Sequence, residues 1–411
     1  MKYTFRHIDK WLFFTVLVLM GFSILVIYSI GAGIALAKNN PQGTTDLLYS
    51  QILRVGIGLL ALCAGMFIPY QWYSMFPKNI FKYRNRDVTS RSEIPIALWL
   101  LLGTIVLLVI VLVWGNGANN TNRFLSLGFI SFQPSEIARY VLIIYLAWSL
   151  SRKNEYSIRN FWWGFIPKIF PVAIIIGLII LEPHFSVSGI MLIVSCGMLY
   201  VARARFAHLF IVFALLLFFA GVWLSFNPYA MQRIVSKFDR KIEHTKSDYQ
   251  IRQSLIAFGS GGILGVAPGE SKQRDLFLPE PMGDFVYAII GEEYGFLGTT
   301  SLAFAFLFVV LSGITIASRT TDDYAKFLAL GLTANIGIQT FVNMAVTLDV
   351  FFLTGLPLPF ISYGGTSMFA SSFAVGILLN ISSQSRQREL NDRASNNETI
   401  GEITPSPWQT E

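Results

Sequence analysis

Apolar runs too long for a soluble core dominate this chain. Ten of them, roughly 11–36, 48–70, 95–115, 133–151, 161–181, 186–202, 208–226, 285–317, 325–350 and 362–382, fill most of its 411 residues. A helix needs about 20 apolar residues to cross a bilayer, and in lipid the backbone must satisfy its own hydrogen bonds. The expected fold is therefore all-α: a polytopic integral membrane protein of about ten transmembrane helices. Charged residues make up 13% of the chain and hydrophobic ones 54%, whereas a soluble domain carries about 25% charged residues. That balance excludes a soluble globular enzyme, a disordered chain and a nucleic-acid binder. The first run follows a basic start, as in a signal peptide, but its length of about 26 residues exceeds a signal h-region and reads as a retained span. Cys63 and Cys196 lie inside apolar runs, with no metal-ligand spacing and no disulfide framework.

The net charge of +7 is first a matter of topology. With the N-terminus inside, the inner segments hold eighteen Lys and Arg, among them Lys10, Lys78, Arg84, Arg152, Arg203, Arg319 and Arg386. The short outer loops hold only Lys38 and Arg123. Both termini are therefore expected in the cytoplasm. The division is residues 1–10 as a cytoplasmic N-terminus, 11–382 as the transmembrane domain and 383–411 as a polar cytoplasmic tail expected to be disordered. One large external loop, 227–284, lies between spans seven and eight, and loops of that length are usually functional. The chain shows no internal repeat of the kind that marks inverted-repeat transporters. It also lacks Walker, dinucleotide and metalloprotease motifs.

Ionisable residues at membrane depth are costly and mark candidate sites. Arg54, Glu136, Arg139, Lys168, Glu182, Glu292, Glu293 and Asp349 lie near or within spans. Glu136 and Arg139, three apart, share a helix face, either as an internal ion pair or as the lining of a polar cavity. Arg123 lies in the polar external segment GNGANNTNRFLSLGFISFQPSE. Gly291 and Gly295, four apart, could let another helix pack closely. In the segment 249–298, Lys272 and Arg274 add positive charge, and Pro279, Pro281 and Gly283 break the chain before a long span. Asp284 follows, in the expected first turn of that span. An acid there is favoured by the helix dipole, so helix capping competes with chemistry as its role. In TGLPLPFISYGGTSM, at 354–368, Pro357 and Pro359 cannot continue a helix and Gly364 and Gly365 follow. The pattern predicts a broken or re-entrant segment, tolerated only where it is buried or lines a cavity.

At these residues the sequence resembles the SEDS family, the FtsW/RodA/SpoVE group of polytopic proteins of bacterial cell-wall synthesis. Four blocks carry the resemblance, in order and in place relative to the spans: NRFLSLGFISFQPSE, YQIRQSLIAFGSGGILGVAPGESKQRDLFLPE, GDFVYAIIGEEYGFLG and TGLPLPFISYGGTSM. The resemblance extends over residues from about 10 to 385, and the last block is closer to the division branch of the family than to its elongation branch. The resemblance implies a glycosyltransferase that polymerises lipid II into glycan strands beside a class B penicillin-binding protein, with other division proteins and membrane lipids as further partners. It implies that Asp284 is the essential acid. It implies substrate contacts from Arg123, Glu136, Arg139, Gln253, Lys272, Arg274, Ser362, Gly364 and Gly365. The chain departs from the family pattern at Phe124, where Trp is common, and at Arg139, where Lys is common. It departs again at His184, where Asp often follows Glu-Pro, so an acidic role there is in doubt.

These residue types suit the reaction. A sugar hydroxyl attacks an anomeric carbon, and a polyprenyl pyrophosphate leaves with its own negative charge. The step needs one base at the hydroxyl, for which Asp284 is the candidate, and positive charge at the pyrophosphate. Arg123, Arg139, Lys272 and Arg274 are the cations this reading offers. A divalent cation, Mg or Mn, could share the neutralising role, although no metal cage is visible in the sequence. Two other readings share many of these features: a lipid II flippase or transporter, and a non-catalytic scaffold of the division machinery.

Overall fold

A computed structural model describes residues 7–37, 42–75, 95–115, 123–127, 130–152, 158–214, 221 and 246–403. Lys2, Arg6, Lys38, Lys153, the basic loop around Lys78 to Arg91, the first part of the large loop and the last residues of the tail lie outside the described residues.

Helices carry almost all of the fold. They are α1 (Lys10–Ala37), α2 (Gln42–Phe67), α3 (Ile96–Trp114), α4 (Pro134–Ser151), α5 (Phe161–Leu181) and α6 (Phe185–Val201). After them come α7 (Lys246–Gly261), the short α8 (Lys272–Leu276), α9 (Val286–Arg319), α10 (Asp323–Thr347) and α11 (Gly365–Ile403). Among the described residues, seven helices are long and apolar enough to span a membrane: α1, α2, α3, α5, α9, α10 and α11. The protein is thus a multi-pass membrane protein. The shorter α4 and α6 occupy the expected places of spans four and six, and residues 206–214 begin a helix where span seven is expected. The expected 161–181 and 186–202 are two separate helices, interrupted by Glu182, Pro183 and His184.

Large lipid-facing side chains such as Trp99, Phe170, Phe304 and Phe341 stay exposed, while α4 and α10 are buried along most of their length and α11 along its first half. This inside-out pattern is what lipid as solvent demands, since the outer surface needs no polar groups. The interior contact of α2 with α11 is backbone-close. A Cβ added to Gly65 would lie 2.4 Å from Phe373 O, and one on Gly376 would lie 2.3 Å from Leu62 O. Small residues permit this approach and gain dispersion contacts where no hydrophobic drive exists.

Three expectations change. The tail from 383 is helical as far as Ile403, as a continuation of α11 rather than a disordered segment. Once a span has nucleated a helix, each added polar residue costs little to append. Within the large loop, α7 and α8 are packed structure. Phe258 of α7 fills the space above Gly291, where a Cβ would meet its ring at 2.3 Å, so the close partner of that glycine is a helix of the loop. Further along, α9 is broken at Gly295, with φ 65° and ψ −161°. There the backbone of Phe296 and Leu297 bonds to Gly262 O and Ile263 O, and Val266 N and Ala267 N bond to Glu292 O and Glu293 O. A side chain at Gly295 would sit 2.4 Å from Gly265 N. Finally, α9 begins at Val286 with Phe285 at its N-cap, so Asp284 precedes the helix and does not cap it.

Candidate active site

The site is built around the irregular segment 351–364, the predicted break between α10 and α11. Leu356, Leu358, Phe360 and Ile361 are all buried. A buried backbone without helix or sheet must find other partners, and side chains supply them. Ser186 Oγ donates to Thr354 O at 2.5 Å, Asn343 Nδ2 to Leu356 O at 2.7 Å, and Gln339 Nε2 to Pro357 O at 2.8 Å. Asn343 and Gln339 belong to a polar row, Asn335, Gln339, Asn343 and Thr347, at four-residue spacing on α10. Such a row on one face of an apolar span was visible in the sequence as a period but was not read there.

Asp284 is held against this segment. Asn343 Nδ2 donates to Asp284 O at 2.8 Å, Ser362 Oγ to Gly283 O at 2.7 Å, and Tyr363 N to Met282 O at 2.9 Å. Ser362 Oγ also accepts from Leu358 N at 2.8 Å. Its hydroxyl is therefore occupied in fixing the loop that carries Asp284. Burial pushes the Asp284 carboxyl up to about 6, and the nearby Glu280 and Glu136 carboxylates push the same way. A carboxylate poised near the working pH is suited to accept a proton.

On α4, Glu136 and Arg139 form a buried ion pair, one of the two readings their spacing left open, and Arg139 Nη1 also donates to Gln339 Oε1 at 3.0 Å. The α10 row therefore touches both the Arg139 pair and the backbone of Asp284. Arg123 reaches the α5–α6 turn, where Nε donates to Glu182 O at 3.1 Å and Nη2 to Pro183 O at 2.5 Å. His184 lies 3.3 Å from Gln133 Nε2 and 3.2 Å from Ser135 Oγ through Nδ1. Burial holds the His184 imidazole down to about 3, with Arg123 and Arg139 adding to the effect, so it is neutral at physiological pH. Burial raises the Glu182 carboxyl to about 8 against the opposing pull of Arg123. Among the described residues, neither carboxylate oxygen of Glu182 has a hydrogen-bond partner.

The remaining candidates separate. Arg274 is buried and bonds to Glu293 Oε1 at 3.1 Å and Ser29 O at 2.9 Å, tying α8 to α1 and α9. Lys272 is exposed, and its backbone N donates to Glu292. Gln253 is half-buried on α7, beside Ser254, whose hydroxyl donates to Thr347 O at 2.7 Å. Gly364 and Gly365 open the first turn of α11, beside Arg54 of α2, whose guanidinium stacks 3.4 Å from the Tyr363 ring centroid. Among the described residues, no three His, Cys, Asp or Glu side chains converge as metal ligands.

A family model described as cell cycle protein, FtsW/RodA/SpoVE, matches residues 87–387. The chain belongs to this family. It is 34% identical over 365 residues to a probable peptidoglycan glycosyltransferase FtsW of Geobacter metallireducens, covering 88% of this chain and 91% of that one. It is also 34% identical over 381 residues to stage V sporulation protein E of Bacillus subtilis, covering 92% and 98%. Among solved structures, a peptidoglycan synthase complex that coordinates polymerization and crosslinking contains a chain matching 92% of this one and 99% of its own length. The TM-score is 0.71 at 24% identity. The rod shape determining protein RodA of Thermus thermophilus matches 91% of this chain and 96% of its own, with a TM-score of 0.62 at 22% identity. These two likenesses establish the shared polytopic fold.

Proposed function

We propose that this chain is a peptidoglycan glycosyltransferase that polymerises lipid II at the outer face of the cytoplasmic membrane. The observation that carries the reading is Asp284, a carboxyl raised to about 6 by its surroundings and fixed to the broken segment by Asn343, Ser362 and Tyr363. The names of the relatives, peptidoglycan glycosyltransferase among them, supply the substrate class. In the proposed step the acceptor sugar hydroxyl attacks the anomeric carbon of the donor, and its proton passes to Asp284. The bond from that carbon to the pyrophosphate oxygen breaks, and its electron pair leaves on the pyrophosphate. The single displacement inverts the anomeric centre. A leaving group of this kind needs no general acid, only positive charge. Any divalent cation would come as a counter-ion of the pyrophosphate, in keeping with the donor set of the described residues.

The ten-span topology, both termini in the cytoplasm, the septal location and a class B penicillin-binding protein as partner belong to the same proposal. Their support is the distribution of Lys and Arg and the division-type relatives. The test is lipid II polymerisation by the purified chain with its co-purified penicillin-binding protein, whose own active site is blocked by a β-lactam. Wild type should make long glycan strands. Asp284→Ala, correctly folded, should lose on the order of 10²–10⁴ in rate. Equal rates would refute Asp284 as base. Movement of lipid II between leaflets without any polymer would support the transporter reading instead.

A further inference from the structure

The proposed reaction needs positive charge at a pyrophosphate, and the cations chosen from the sequence are largely engaged elsewhere. Arg139 is held by Glu136 and Gln339, Arg274 by Glu293, and Arg123 by two backbone carbonyls. Arg54 differs. It lies near the middle of α2, and its stacking on Tyr363 satisfies the guanidinium face while leaving its N–H donors for other partners. Its Nη1 is buried and has no hydrogen-bond partner among the described residues.

Beside Arg54 lies the start of α11, where a Cβ built on Gly365 would be 3.7 Å from Arg54 Nε. First-turn N–H groups lack intrahelical partners and favour anions. Gly364 N donates to Ser362 O at 2.8 Å, and the side chain beside Gly365 is that of Arg54. Ser367, in the same turn, is 5% exposed and its hydroxyl also lacks a partner. Its Cβ faces the cap, at 3.5 Å from a Cβ built on Gly364. Among the described residues, an unpartnered guanidinium nitrogen and an unpartnered hydroxyl therefore flank the N-terminus of α11. Because Arg54 lies within a membrane span, an anion borne on a lipid is the candidate occupant.

We propose that Arg54, Ser367 and the first turn of α11 form the subsite that holds the pyrophosphate of a polyprenyl-linked sugar. This rests on the glycosyltransferase reading and assigns the site of its leaving group. The segment that seats Arg54 through Tyr363 also seats Asp284, since Tyr363 N and Ser362 Oγ donate to Met282 O and Gly283 O. Base and phosphate site are thereby fixed to one another. A guanidinium can bond two phosphate oxygens through its planar fork, which an ammonium cannot.

The test is equilibrium binding to the purified full-length chain in nanodiscs, with polyprenyl pyrophosphate, the uncharged polyprenol and inorganic pyrophosphate as probes. Wild type should prefer polyprenyl pyrophosphate over the other two. Arg54→Gln should weaken that binding about tenfold or more, and Arg54→Lys by an intermediate factor, with polyprenol binding little changed. Ser367→Ala, a smaller lesion, should weaken it a few-fold and covers the case in which Arg54 variants fail to fold. Normal pyrophosphate affinity in folded Arg54→Gln, or in Ser367→Ala when Arg54→Gln does not fold, would overturn the proposal. So would equal displacement by phosphatidylglycerol, which would make this a phospholipid headgroup site. Binding that behaves as expected in a chain that never polymerises would count against the glycosyltransferase reading alone.

Discussion

Asp284 and Gly355 face each other across the site: a Cβ placed on Gly355 would stand 3.3 Å from Asp284 Oδ2. Gly355 has φ 68°, in the left-handed region. The backbone opposite the carboxylate is bare for two separate reasons, torsion and space.

Gly355→Ala should therefore harm both stability and activity. The left-handed torsion costs a non-glycine residue roughly 1–2 kcal/mol, and the methyl group crowds the carboxylate. A melting temperature lower by a few degrees and a polymerisation rate down about tenfold are expected. A rate and a melting temperature both equal to wild type would show that the carboxylate does not use this space.

The pH profile should report Asp284. A base works in its ionised form, and the carboxyl is raised to about 6. Polymerisation should climb about tenfold per pH unit below that value and level off above it. A profile flat through this range in kcat/KM would remove Asp284 from proton transfer.

Glu182 makes a prediction about stability. Its carboxyl is raised in the folded chain to about 8 from an ordinary 4.5. The folded state therefore holds its proton more tightly, and the associated stability is complete below 4.5 and lost as pH rises through about 8. Glu182→Gln, which cannot ionise, should be as stable as wild type in acid and increasingly more stable towards pH 8. Melting temperatures of the two proteins across that range decide the matter.

Glu292 anchors the loop before Asp284. It accepts from Ser260 Oγ, Ser271 Oγ, Lys272 N and Gln273 N. Glu292→Ala strands these donors and should cost on the order of 3 kcal/mol. Protease cleavage between Gly262 and Glu280 should accelerate, while Glu292→Gln, which keeps an acceptor oxygen, should fall between the two.

Much of the fold was legible because lipid imposes a length and a composition on every span. The expected 161–181 coincides with α5, and 285–317 lies within two residues of α9. The Glu136–Arg139 pair was legible for a similar reason, since three-residue spacing on a helix fixes neighbours. The packed half of the large loop was not, because Phe258 over Gly291 is a contact between distant segments with no local period. Arg54 stood out as a cation inside an apolar run, yet nothing local linked it to Tyr363, some three hundred residues away. Asp284 was found through the family resemblance, and its geometry then changed the competing reading, since it precedes the helix rather than capping it.

The broken segment has a consequence for how the protein is made. Its carbonyls at Thr354, Leu356 and Pro357 accept from Ser186, Asn343 and Gln339, from two helices already threaded into the bilayer. Asp284 then waits for Asn343 and Ser362, which leave the ribosome after it. A chain halted before α10 contains the acid but not its setting. The acid thus gains its setting only after α10 and the broken segment have followed it, so a copy halted between α9 and α10 cannot hold it in place.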